Sequence, residues 1–345
     1  MFENIILYTG VLYLINFIFL KKKFLIHKSF GLKHKQKNLK GIVLSGGTYL
    51  FISFALTSFF NEFLFFDIFL YGFIFLLLGI FSDLNFKISP QQRLLTMFLM
   101  SFLIIYNSNI TIDKIDFYFL DNLLKYKYFS ILFFSICLVI LINGSNFIDG
   151  TNGNAIGYYL LCIISLSYQY DLSKNFDSEN ILLNLISFSL LIFLILNFFN
   201  KCFLGDNGAY YISAVVGILA IHVFLITNVS SFYIANLFIY PIVEVFISFI
   251  RKIFSNKSPY VPDNKHLHHL ILKKIDRFNL LRKFSNSLTS IFILTLLSIF
   301  FYITSLEVFN KSYQIKLSLI FILIYFLPYL LLNFSQKTKK DKMQN

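Results

Sequence analysis

The chain has 345 residues, 57% of them hydrophobic and 14% charged, with a formal net charge of +13 at pH 7. Soluble globular proteins carry about 25% charged residues to cover their surface. A soluble enzyme, a disordered chain and a secreted disulfide scaffold are therefore excluded. The three cysteines, Cys137, Cys162 and Cys202, are scattered and have neither disulfide nor zinc spacing.

Apolar windows of about 17–25 residues are long enough to cross a bilayer as helices. Eleven follow one another, near 3–20, 42–60, 64–81, 93–110, 128–143, 154–170, 181–199, 208–226, 232–250, 285–306 and 314–334. Such unbroken runs do not alternate as barrel strands do. The expected fold is all-α, a polytopic transmembrane bundle of about 11 spans forming one integral membrane domain over residues 1–345. The first run, Ile5 to Leu20, precedes Lys21-Lys22-Lys23. That reverses the order of a cleaved signal peptide, so it is expected to stay as a span. A basic loop at 251–284 and a basic tail at 335–345 are the main charged segments outside the spans.

Lys and Arg set membrane orientation. With loops assigned to alternate sides, 24 of the 30 Lys and Arg fall on one face, while ten of the 17 acidic residues fall on the other. The N-terminus is expected outside and the C-terminus in the cytoplasm. Four short polar segments then share the cytoplasmic face: Gly79–Arg93, Asn143–Asn154, Phe203–Tyr211 and Pro262–His269.

In the first of these, Asp83 ends a span, Ser89-Pro90 reads as a helix start, and Lys87 and Arg93 stand near the lipid phosphate level. Capping and interfacial snorkelling account for them equally well. The second segment, NGSNFIDGTNGN, holds Asn143, Asn146, Asp149 and Asn152 at three-residue spacing, with Gly150 and Gly153 permitting tight turns. Asn143, Asn146 and Asp149 share a helical face; the segment is either a pair of helix caps or a loop for Mg²⁺ and a nucleotide. In the third, FLGDNGAYY, Asp206 is either an N-cap or one of the carboxylates that hold Mg²⁺ against phosphates. The fourth crowds His266, His268 and His269 into four residues and leads into a basic, helix-periodic stretch suited to the membrane surface. A zinc site there lacks a fourth ligand; phosphate contact suits the set better.

Taken in order, these segments resemble the polyprenyl-phosphate N-acetylhexosamine-1-phosphate transferases over roughly residues 40–275. NGSNFIDGTNGN matches that family's Asn-x-x-Asp-Gly-x-Asn/Asp-Gly loop, FLGDNGA its Gly-Asp-x-Gly loop, and PDNKHLHH its His-x-His-His loop. The resemblance implies Mg²⁺-dependent transfer, with Mn²⁺ as an alternative ion, of a sugar 1-phosphate from a UDP-N-acetylhexosamine to undecaprenyl or another polyprenyl phosphate. UMP would be released and a surface glycan of the O-antigen or lipopolysaccharide type begun. By the same resemblance Asp206 is the main Mg²⁺ ligand and Asn146 the second, Asp149 and Asn152 position the nucleotide, and His266, His268 and His269 contact the sugar-phosphate region. Asp83 joins Asp149, Asp206 and His268 as a catalytic candidate, while Asn143, Lys87 and Arg93 join the binding candidates. The implied partners are the donor, the lipid acceptor and membrane lipid, with no nucleic acid.

Two positions depart from the family pattern. Ser82 precedes Asp83 where the family carries an Asp pair, and Asn154 stands where Leu is common. Loss of the first carboxylate makes an inactive family member a competing reading. A transporter or lipid-handling protein is another, resting on Glu244, the one acidic residue well inside a span, just after Pro241.

Overall fold

Helix α9 (Gly205–Thr227) is the axis around which the other helices are arranged. The computed structural model describes residues 2–27, 41–108, 112–173, 177–255, 265–276 and 284–341. In chain order these form α1 (Phe2–Lys22), β1 (Val43–Leu44), α2 (Gly46–Phe60), α3 (Phe66–Asp83), α4 (Pro90–Asn107), α5 (Tyr118–Leu124), α6 (Lys127–Ile148), α7 (Asn154–Ser173) and α8 (Asp177–Phe198). After β2 (Cys202–Phe203) and α9 come α10 (Ser231–Leu237), α11 (Ile239–Phe254), α12 (Leu267–Ile275), α13 (Ser285–Ser305) and α14 (Lys311–Asp341). Among the described residues, six helices are long and apolar enough to cross a membrane, namely α1, α3, α6, α8, α9 and α13; the bent pair α10–α11 makes a seventh if taken as one span. Pro262, Asp263 and Asn264 of the expected His loop lie outside the described residues, as do 277–283 of the basic stretch and 342–345 of the tail. Residues 335–341, expected as tail, continue α14.

Burial separates the centre from the rim. Of the most apolar window of α9, 72% is buried, against 17% for α1, so α9 is the buried axis and α1 a peripheral helix. Small residues let α2 and α3 approach α9 closely. A side chain at Gly79 of α3 or Gly47 of α2 would run into Asn207 of α9, and one at Gly46 into the backbone of Leu204. Farther along, Gly72 of α3 admits Val215 and Tyr211.

The ninth apolar run, expected as one helix, is broken at Phe238, and its halves α10 and α11 meet at 69°. The cause is Pro241, which has no N–H to give the carbonyl four residues earlier. That carbonyl, on Leu237, is taken instead by the Tyr158 hydroxyl and by Cys162 Sγ, both from α7.

Three short elements are not visible in the hydropathy pattern. The short helix α5 lies in the connection before α6, and β1 pairs in parallel with β2, Val43 opposite Cys202 and Leu44 opposite Phe203. Cys202 is accordingly buried, and burial pushes its thiol up to about 12. It is a neutral packing group.

The α3–α9 contact can be probed directly. Gly79→Leu should force the helices apart and lower stability by about 1–3 kcal/mol, the usual penalty for overpacking. A thermal melt of the detergent-purified variant at the wild-type midpoint would contradict this packing.

Candidate active site

An α-helix leaves its first N–H groups without intrahelical partners, and those of α9 are met from far away in sequence. The residue at its N-cap, Leu204, has no side chain able to cap. Asp83, the last residue of α3, supplies the acceptors: Oδ1 takes the Asp206 N–H at 3.0 Å, and Oδ2 takes the Asn207 N–H at 3.0 Å and the Asn207 side-chain amide at 2.6 Å. A carboxylate at a helix N-terminus is also favoured by the helix dipole. Gly205, with φ of +73°, makes the entry turn in the left-handed region, where a side chain would also crowd Asp83 and Asn207. Asn207 closes the arrangement, accepting the Gly47 N–H at 2.6 Å and donating to Leu44 O at 3.2 Å.

This frame fixes Asp206 in the first turn of α9, where its side chain is partly buried. Ser82 donates its hydroxyl to Asp206 Oδ2 at 2.7 Å. Arg93, in the first turn of α4, lies 3.8 Å from the same oxygen and donates to the Ser82 hydroxyl at 3.3 Å. Its helix begins with a capping box between Ser89 and Gln92 and with Pro90 at the first position, as the sequence suggests. Asp83 and Ser82 thus divide two tasks: the carboxylate holds the backbone beneath Asp206, and the hydroxyl holds its side chain. Lys87 is exposed on the turn between α3 and α4.

One turn beyond Asp206, the Tyr210 hydroxyl accepts the side-chain amide of Asn146 from α6 at 3.1 Å. That contact joins the second polar segment to the third. The last segment joins them through aromatic and glycine contacts. Phe147 and His266 have ring centroids 5.0 Å apart, and a side chain at Gly150 would strike the His268 imidazole. The three histidines form one cluster, His266 stacked on His268 at 5.7 Å and His269 at 4.1 Å from His268. Asp149 is half-buried at the end of α6, between Phe147 and Gly150.

Two candidates are engaged inside the protein. Asn143 donates to Val139 O at 2.9 Å, one turn back along α6. Asn152 is 2% exposed and donates to Asn200 Oδ1 at 2.7 Å, tying its loop to the turn after α8. Asn154, the departure from the family pattern, is fully buried and bonds Ile148 O and the Tyr240 hydroxyl. Sequence reasoning did not single out Tyr210, Asn207 or the Ser82 link. Only Tyr210 carries a sequence signal, its position one helical turn after Asp206.

Glu244, whose isolation in a span favoured a transporter, faces the histidine cluster: its Oε2 lies 2.8 Å from His266 Nδ1. Below the rim, an apolar cavity of about 340 Å³ is lined by residues including Phe133, Cys137, Leu141, Gly217, Phe232 and Phe238, between α6, α9 and the α10–α11 break. Among the described residues, no three His, Cys, Asp or Glu side chains come together to enclose a metal ion.

The fold and the polar cluster define an integral membrane protein with a polar site where the ends of several helices meet. Residues 65–224 match the family model described as Glycosyl transferase family 4. An undecaprenyl-phosphate alpha-N-acetylglucosaminyl 1-phosphate transferase of Thermotoga maritima is 32% identical over 151 residues, 43% of this chain and 45% of that protein. A probable undecaprenyl-phosphate N-acetylglucosaminyl 1-phosphate transferase of Bacillus subtilis is 27% identical over 262 residues, 74% of this chain and 69% of that protein. A decaprenyl-phosphate N-acetylglucosaminephosphotransferase of Mycobacterium leprae is 26% identical over 39% of each chain. The alignment thus spans less than half of the Thermotoga and Mycobacterium relatives. The chain is similar, over part of its length, to glycosyl transferase family 4 and to polyprenyl-phosphate N-acetylglucosamine-1-phosphate transferases.

Asp83→Ala should strip three acceptor contacts from the start of α9 and destabilise the protein by about 1–3 kcal/mol. An unchanged melting temperature would show that the end of α9 is satisfied some other way.

Proposed function

We propose that the protein transfers N-acetylhexosamine 1-phosphate from a UDP-sugar to a polyprenyl phosphate such as undecaprenyl phosphate, yielding polyprenyl-diphospho-N-acetylhexosamine and UMP. The observation that carries this reading is Asp206. It stands at the N-terminus of α9, bracketed by Ser82 and Arg93 and linked through Tyr210 to Asn146. The Arg93 guanidinium beside Asp206 suits a diphosphate, and the histidine cluster beside residues 146–150 would meet its sugar end. The UDP donor and the start of an O-antigen or lipopolysaccharide-type glycan belong to the same proposal. So does the membrane topology, with about 11 spans, the N-terminus outside and the site on the cytoplasmic face of the cell membrane.

Phosphoryl transfer depends more on positioning and charge neutralisation than on covalent catalysis. A phosphate monoester has a second pKa of about 6, so the lipid phosphate is already largely a dianion at pH 7 and attacks without a general base. Replacement of a carboxylate by Ser82 therefore leaves the nucleophile intact. In this mechanism Arg93 offsets phosphate charge while Asp83 and Ser82 keep Asp206 in place. Mg²⁺ fits the donor set because it takes few protein oxygens and completes its shell with phosphate and water. Asp206, with Asn146 second, would hold it, and the bound ion would neutralise the diphosphate. Asn146 commits its NH₂ to Tyr210, so its oxygen is the atom suited to a cation. Asp149 and the histidines would orient the donor. The polyprenyl chain would follow the apolar cavity, whose residue Leu141 lies on α6 five residues before Asn146, roughly 7–8 Å along the axis at 1.5 Å per residue.

The test is UMP release by detergent-purified protein given undecaprenyl phosphate, Mg²⁺ and a panel of UDP-N-acetylhexosamines. Release that requires both the lipid and the metal ion is expected. No release from either the wild type or Ser82→Asp with any donor would overturn the reading. In the same assay Asp206→Ala should lose on the order of 100-fold or more in kcat while the protein stays folded. Wild-type turnover in that variant would remove Asp206 from the site.

A further inference from the structure

Glu244 is 1% exposed in the middle of α11, and a carboxylate at such depth needs partners to offset its desolvation. It has two. Oε2 bonds His266 Nδ1 at 2.8 Å, and Oε1 accepts the Leu267 N–H at 3.0 Å, the first helical residue of α12. One carboxylate therefore both caps α12 and grips the residue that precedes it. Arg251 is seven residues further along α11, close to two turns on and so on the same face. Its guanidinium donates to Lys265 O at 3.2 Å and is fixed by the Tyr329 hydroxyl and by stacking over that ring at 5.8 Å. The two side chains hold the backbone on either side of His266.

We propose that Glu244 is a positioning residue that acts through His266, with Arg251 as its support. An ionised carboxylate only accepts hydrogen bonds, so His266 must carry a proton on Nδ1, and this fixes the ring and leaves Nε2 as the atom offered to a ligand. His266 stacks on His268 and packs on Phe147, so orienting one ring orients the cluster. The bend forced by Pro241 sets the direction of α11 and hence where this clamp stands. The role in turnover rests on the transferase reading above; the ring geometry does not.

Two measurements test the proposal. Nitrogen NMR of the full-length protein with isotopically labelled histidine, assigned by loss of a signal in His266→Ala, should show the wild-type His266 protonated at Nδ1. In Glu244→Gln, whose amide can donate as well as accept, that lock should be lost. A wild-type His266 protonated only on Nε2 overturns the proposal whether or not the enzyme turns over. In the UMP-release assay, Glu244→Gln should lower kcat/KM for the donor about tenfold or more with its melting temperature kept. The same substitution should have no further effect in a His266→Ala background, because the two residues act as a unit. Equal losses in both backgrounds, or none in either, would show that Glu244 does not work through His266. If Glu244→Gln does not fold, Arg251→Gln, which leaves the carboxylate in place, should show the same dependence on His266, and an independent effect would count against the proposal.

Discussion

The amino end of α9 is the constraint on which the rest of the site depends. A buried helix must find partners for its first N–H groups, and Leu204 at the cap cannot provide them. Asp83 does so from the end of α3, and this works only because Gly79 lets α3 come against Asn207. Gly47 allows α2 the same approach, and Asn207 bonds both neighbours. Three helix ends and the turn through Gly205 are thus pinned together, and Asp206 emerges from that joint with little freedom to move. Its setting is preorganised by backbone contacts rather than by opposite charge alone.

The histidine cluster is held by a second joint of the same kind. Glu244 caps α12 as Asp83 caps α9, each carboxylate reaching a helix start in another part of the chain. Between the joints, Asn146 and Phe147 on α6 touch Tyr210 on one side and His266 on the other. Four segments separated by long apolar spans become one surface because α6 packs on both α9 and α11 beneath it. The break at Phe238 belongs to the same construction: Pro241 frees the Leu237 carbonyl, α7 captures it, and α11 turns toward the cluster.

Much of this arrangement is legible in the sequence, in the order physics would suggest. Hydropathy marks where the helices run, since lipid demands internally bonded backbone. The distribution of charge gathers Asp83, Asn146, Asp206 and His266 on one side of the expected bundle before any contact is known. What sequence cannot show is which polar residues turn inward. Asn152 looks like a ligand donor in a Gly- and Asn-rich loop, yet its side-chain amide is engaged by Asn200, and Asn154, out of pattern beside it, is held by Ile148 and Tyr240. Ser82 looks like a missing carboxylate, while in the fold its hydroxyl steadies Asp206 from 124 residues away. Glu244 looks like a residue of a transport path until His266 is seen against it. Each depends on a long-range contact that leaves no local periodicity, and the two-residue pairing of β1 with β2 is hidden for the same reason.

The most direct test of the central claim, that these segments form a single diphosphate site at the N-terminus of α9, is a cryo-EM structure of the full chain with a UDP-N-acetylhexosamine and Mg²⁺. Diphosphate density is expected between Asp206 and the His266–His269 cluster, with Arg93 alongside. A nucleotide-sugar seated away from Asp206, or contacting only one of the two joints, would contradict the claim.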